Sequence, residues 1–262
     1  MNIGTAVPEP EELAAAQHHF IQSRSIKDNY SVGDFEKEAL QKMHLLFTDS
    51  DYIVMVGGSA LYEKAITHGL DDFPEVNEQI KVQLEKELQA NGLAALQEEL
   101  KTVDPDFYNT TDIYNPRRIM RALSIYRTSG HNISYYRKNK KHDRPFNIIK
   151  IGLEAPREVL YERINKRVDI MIERGLLEEV ATLKEFKHLN ALQTVGYQEF
   201  FSYLEGKYHL EEAIRLVKRN TRRFAKRQLT WYRKDDEVSW YSYNTCHTKI
   251  VQQVMNDLQN NE

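Results

Sequence analysis

The clearest change of pattern along the chain lies in "DYIVMVGGSALYEKAITHGL", from Asp51 to Leu70. Asp51–Val56 is a short apolar, β-rich run of the kind that forms a buried strand. Gly57-Gly58 makes a tight turn, Ser59 caps a helix, and Gly69 closes that helix after His68. The strand–turn–helix unit predicts an α/β core. A second strand is expected over "FNIIKIGL", Phe146 to Leu153, and a helix from about Pro156 towards Gly175.

The stretch between those strands has another character. "EVNEQIKVQLEKELQANGLAALQEELKTV" sets apolar residues at helical spacing on a charged background, with Asn91-Gly92 between two helices. "NPRRIMRALSIYRTSG" starts a helix with Asn115 as cap and Pro116 at its first position, and Gly130 ends it. "RKNKKHDRP" is a basic loop. Residues 71–143 therefore read as a mainly helical insertion in an α/β core made of 1–70 and 144–262. The tail predicts a helix from Leu210 to about Tyr232 and an edge strand at "VSWYSY".

Composition narrows the class. A hydrophobic fraction of 41% supports a core, and 29% charged residues suit a soluble protein. No apolar run approaches the roughly 18 residues that span a bilayer, so no membrane partner is expected. "MNIGTAVPEPEEL" lacks the basic and apolar regions of a secretory signal. Cys246, the single cysteine, excludes an intrachain disulfide and fits a reducing compartment. These features predict a cytoplasmic globular protein, expected to be a monomer.

Charge changes the picture further. The formal net charge is -3, yet Arg215–Lys234 holds nine Lys or Arg and no Asp or Glu. Helical spacing lines up Arg215, Arg219, Arg222 and Lys226 beside a more apolar line of Ile214, Val217, Thr221 and Phe224. An ordinary solvated face mixes signs. An unmixed one expects a counter-anion, and Trp231 with Tyr232 adds a stacking surface for an unpaired base. Arg117, Arg118 and Arg121 repeat the pattern over a packing line of Ile119, Leu123 and Tyr126; a plain capped surface helix would look the same. "VGGSALY" leads into a helix N-terminus, which favours an anion, but its spacing is neither a Walker loop nor a dinucleotide fingerprint. "HLNALQTVGYQEF" offers amides and a hydroxyl that can read base edges or simply form a loop. His18-His19 lacks partners at metal-ligand spacing, and Cys246 has no nucleophile context.

In order, "MNIGTAVPEPEEL", "HHFI", "YSVGDFEKEA", "VGGSALYEKAITHGL", "NPRRIMRAL", "ERINKRVDIMIERGLLEEV", "LQTVGYQEF" and "TRRFAKRQLTWYRK" resemble the tRNA dimethylallyltransferases, also called tRNA isopentenyltransferases. The match runs to about Trp240. It implies a P-loop-type α/β core with a parallel sheet plus a helical insertion that grips the tRNA anticodon stem-loop. It also implies transfer of a dimethylallyl group from dimethylallyl diphosphate to N6 of the adenosine 3′ of the anticodon, with Mg²⁺ assisting the diphosphate. The target base would be drawn out of its stack.

The same resemblance carries roles onto residues. Ser59, where the family usually has Thr, would lie near the bound adenosine. Arg167, with Arg163 second, would face the diphosphate; Ser59 and Arg167 are the catalytic candidates. The RNA would meet Arg117, Arg118 and Arg121, the loop Gln193, Thr194, Val195, Gly196, Tyr197 and Gln198, and the strip Lys226, Arg227, Gln228, Thr230, Trp231 and Arg233. Val7 and Gln198 replace basic residues usual in the family. The family's first strand, its "GPT-x-x-GK-[ST]" phosphate loop and its general-base aspartate precede "IGTA" and have no counterpart in these 262 residues, so weak or absent activity is expected of this chain. A non-catalytic tRNA binder is the alternative; a nucleotide kinase would need the same missing loop.

Overall fold

The computed structural model describes residues 1–5, 7–138 and 142–259. Ala6, residues 139–141 in the middle of the expected basic loop, and residues 260–262 lie outside the described residues. The chain divides into two compact units: Val32–Val54 with Leu61–Phe146, and Met1–Ser31 with Met55–Ala60 and Asn147–Glu262.

After α1 (Pro10–Ala15), the helical unit contains α2 (Val32–Leu46), all but the first residue of α3 (Ala60–Thr67), α4 (Glu78–Val103), α5 (Pro105–Thr110), α6 (Pro116–Ser129) and α7 (Ile133–Tyr136). It takes in more than the 71–143 read from the sequence. Arg144 accounts for part of this: its guanidinium donates to the Ala65 and Ile66 carbonyls at the end of α3, each at 2.7 Å, and to Glu36 of α2 at 2.6 Å. The unit's core forms where Leu84, Leu96 and Leu100 of α4 close on Ile119, Leu123 and Ile125 of α6. Each such side chain contributes about 1.5–3 kcal/mol by leaving water. As the sequence predicts, α4 breaks at Gly92 (φ 75°). Arg127 of α6 straddles the break, donating to Glu87 on one side and Glu99 on the other. The start of α6 is also as expected, with the Asn115 side chain accepting from the Arg117 N–H at 3.1 Å and Pro116 in the first turn.

The second unit carries β1 (Lys150–Glu154), α8 (Arg157–Glu173), α9 (Leu176–Thr182), α10 (Tyr197–Leu204), α11 (Leu210–Tyr232), β2 (Val238–Ser242) and α12 (His247–Gln259). The two strands pair in parallel, from Lys150 opposite Val238 to Glu154 opposite Ser242. Val168 of α8, Leu176 and Val180 of α9, Tyr197 and Phe200 of α10, and Ala213 and Val217 of α11 form this unit's hydrophobic core. The molecule is thus helix-rich with a small parallel sheet, consistent with the α/β class. No helix among the described residues is long and apolar enough to cross a membrane.

One expected element does not form. Asp51–Val56 is extended but has no strand partner among the described residues, and Val54 and Val56 are 85% and 90% exposed. An apolar, β-rich run becomes a strand only where a neighbour takes up its backbone N–H and C=O groups.

Candidate nucleic-acid interface

The basic strip is α11, and the structure divides it in two. In its N-terminal half two bases are paired, one with an acid of the same helix and one with an acid of another. Arg215 pairs with Glu212 at 2.6 Å, and Lys218 pairs with Asp169 of α8 at 2.5 Å. Further on, Arg223, Lys226 and Arg227 are exposed and have no ion-pair partner among the described residues. The uncompensated charge is therefore concentrated in the C-terminal half. Arg227 lies 5.7 Å over the Phe224 ring. Trp231 is half exposed, while Thr230 donates its hydroxyl back to the Lys226 carbonyl at 2.8 Å. Arg233, just past the helix, reaches Glu154 at 3.2 Å; both side chains are exposed, so that pair is weak.

Gln228 connects this strip to the glycine turn. Its Nε2 donates to the Gly58 carbonyl at 2.7 Å. A Cβ on Gly58 would stand 2.3 Å from that nitrogen, so a side chain there would displace the Gln228 amide from this bond. Ser59 is exposed next to this contact and immediately precedes α3. The sequence-predicted Ser59 and the C-terminal half of the strip are thus brought together, through a residue expected to meet RNA itself.

The loop before α10 is different. Thr194 and Gln198 are exposed, and Gln193 and Val195 are half-buried, whereas Gly196 and Tyr197 are buried. Gln198 donates to Gln193 Oε1 at 2.9 Å, and Gln193 donates to the Lys187 carbonyl at 2.6 Å. Tyr197, expected at the RNA surface, instead donates its hydroxyl to Glu179 Oε1 at 2.6 Å. Glu179 also accepts the backbone N–H groups of Asn2, Ile3 and Gly4 at 2.7, 3.0 and 3.1 Å. Burial pushes the Glu179 carboxyl up, but these four donors outweigh it and hold the group below the usual carboxylate range. Burial and the adjacent carboxylate push the Tyr197 hydroxyl far up. Glu199 supports the same loop, accepting the Gly196 N–H at 2.8 Å and the Asn220 amide at 2.6 Å. Neither glutamate was singled out in the sequence, where each looks like one more helix acid.

Arg163 and Arg167 are exposed one turn apart on α8, and Arg163 lies 5.8 Å over the Tyr243 ring. In the helical unit, Arg117, Arg118 and Arg121 are exposed on α6, with Arg121 stacked 5.7 Å over Phe73. Among the described residues no group of three or more His, Cys, Asp or Glu is placed to hold a metal ion.

Comparison with known proteins extends this picture. The family model for IPP transferase matches residues 1–235. A tRNA dimethylallyltransferase from Christiangramia forsetii is 55% identical over 244 residues, covering 93% of this chain and 81% of that protein. Another, from Flavobacterium johnsoniae, is 46% identical over 264 residues, 98% of this chain and 85% of that protein. The solved structure of the full-length tRNA isopentenylpyrophosphate transferase from Bacillus halodurans aligns with a TM-score of 0.68 and 34% identity, over 99% of this chain and 83% of that one. The fold is also shared with a eukaryotic dimethylallyltransferase structure, at a TM-score of 0.78 and 23% identity over 99% of this chain and 70% of that one.

Proposed function

This chain belongs to the IPP transferase family, and from that premise we propose that it serves transfer of a dimethylallyl group from dimethylallyl diphosphate to N6 of the adenosine just 3′ of the anticodon in tRNA. The observation that carries the RNA side of this reading is the set of exposed cations Arg223, Lys226 and Arg227 in the C-terminal half of α11, without ion-pair partners among the described residues and tied through Gln228 to the turn that bears Ser59. Lys226 and Arg227 would hold backbone phosphates, and Arg233 would do so by exchanging its weak bond to Glu154. The exposed face of Trp231 would stack an unpaired base. Arg117, Arg118 and Arg121 would meet the stem, and Thr194 and Gln198 the loop.

In the reaction the N6 amine attacks the allylic carbon, the carbon–oxygen bond to diphosphate breaks, and the amine loses a proton. Arg163 and Arg167 would take up the charge developing on the diphosphate, and the Ser59 hydroxyl would orient the adenosine. In this reading the proton passes to none of the residues named above. For these residues alone we propose RNA binding that outlasts catalysis. A second reading, a tRNA binder without chemistry, would use the same cationic surface of α11. Such a protein would act as a cytoplasmic monomer on tRNA. The test is binding of an anticodon stem-loop, followed by anisotropy against salt. A steep salt dependence that a duplex of the same length does not match supports the reading; equal binding of stem-loop and duplex counts against it.

A further inference from the structure

Two cations in the second unit converge on one aromatic ring. Arg157, in the first turn of α8, lies 5.0 Å from the centroid of Tyr161, and Arg222 of α11 lies 5.7 Å from the same centroid. Arg222 is half-buried and pinned by its bond to Asn165 Oδ1 at 2.6 Å. Neither guanidinium has a carboxylate partner among the described residues. Arg157, Tyr161 and Asn165 follow one another at intervals of four along α8 and so share a face. Arg163 and Arg167 share a different face, so this cluster is separate from the arginines assigned to the diphosphate.

Favourable cation–π contact holds each guanidinium to the ring, but by only about 0.5–1 kcal/mol at exposed positions. The same geometry holds two like charges on one ring, and no acid among the described residues pairs with either. Elsewhere on α11 the protein supplies an acid where a cation is held, as Asp169 does for Lys218. At Tyr161 it supplies an amide, which orients a guanidinium without discharging it. A phosphate oxyanion suits such a pair: guanidinium donors present a planar fork that matches its oxygens.

We propose that Arg157 and Arg222, braced by Tyr161 and Asn165, form a clamp for a backbone phosphate of the RNA substrate. The proposal rests on the tRNA reading above and extends its contact surface from the C-terminal half of α11 to Arg157 and Tyr161 of α8, which lie outside the quoted family motifs. The clamp adds affinity without reading sequence, as phosphate contacts do.

The experiment measures anisotropy of a labelled anticodon stem-loop from 50 to 200 mM salt, for the whole 262-residue chain and for Arg157→Gln and Arg157→Gln/Arg222→Gln. One phosphate contact contributes about 0.9 to the slope of log affinity against log salt, which is about 3.5-fold across this range. The double variant should lose about that much slope, and Arg157→Gln, exposed and held only by its stacking on Tyr161, should weaken binding at 50 mM salt on the order of threefold while the melting temperature falls little. Inorganic diphosphate titrated calorimetrically separates the two sources of a phosphate group, and wild type and double variant should give the same weak signal. A diphosphate signal lost in the double variant while its RNA slope stays wild-type overturns the RNA assignment. Wild-type binding with an unchanged slope in the double variant overturns the clamp alone. A wild-type chain without salt-dependent stem-loop binding overturns the proposed function, and the clamp falls with it.

Discussion

Replacing Glu179 with Gln should loosen the first residues of the chain and flatten the acid side of the stability profile. The carboxylate accepts three backbone N–H groups and the Tyr197 hydroxyl. A hydrogen bond to a charged group contributes about 1.5–3 kcal/mol when exchanged against water. The Asn2 bond is exposed and contributes little; the Ile3, Gly4 and Tyr197 bonds are partly buried. The variant keeps one acceptor oxygen but turns an NH₂ towards donors, so roughly half of this is lost and about 2–4 kcal/mol of destabilisation is expected. Steric fit removes the easy escape, because Gly4 sits so close to Tyr197 that a Cβ there would lie 2.3 Å from the hydroxyl. The pH sign follows from the depressed folded-state pKa of Glu179. Its stabilisation is fully present above the unfolded carboxylate value of 4.5 and is lost as pH falls below that through the lower folded value. Urea unfolding at pH 7 and at successive acid steps, with amide hydrogen exchange at Ile3 and Gly4, reads both effects. If Glu179→Gln unfolds at the same urea concentration as the parent, with unaltered exchange at those amides and the same acid slope, the node has no energetic role and the reasoning fails.

Two further outcomes follow from the site. Arg227→Ala should reduce the salt slope of stem-loop binding by about 0.9, whereas Lys218→Ala, whose charge Asp169 already neutralises, should leave it unchanged; anisotropy against salt would expose equal effects of the two as an error in how α11 is divided. Ser59→Ala should slow prenyl transfer by a completed enzyme more than it weakens tRNA binding, since phosphate contacts supply most of the affinity; single-turnover rates beside binding constants would reverse that order if Ser59 were only a surface contact.

Local signals in the sequence were read most faithfully where the physics is local. Asn115, Pro116 and Gly130 bound α6 through capping, a preset φ and a left-handed close, all within a few residues of the helix they delimit. Gly92 breaks α4 for the same kind of reason. Asp51–Val56 has the right composition for a strand, but pairing is a property of a neighbour and not of the run itself. Glu179 was illegible because its donors stand up to 177 residues away, and nothing in "GLLEEV" distinguishes it from Glu178. The strip shows both sides of the limit. Its freedom from acids between Arg215 and Lys234 is real, yet Asp169 reaches Lys218 from another helix, so the unpaired charge lies mainly in the C-terminal half and not evenly along the strip.

The most direct measurement follows labelled dimethylallyl diphosphate into tRNA, using the 262-residue chain and a version preceded by a "GPT-x-x-GK-[ST]" phosphate-loop segment. The substrates are one tRNA carrying adenosine 3′ of its anticodon and the same tRNA carrying guanosine there. The account predicts label on the adenosine tRNA alone with the extended protein. For the 262 residues alone it predicts a rate lower by at least about 10², the usual cost of a missing positioned base or preorganised donor. Label on the guanosine tRNA, or no label from the extended protein on either, would contradict the assignment of prenyl transfer to adenosine; undiminished transfer by the shorter chain would place the base within Met1–Glu262.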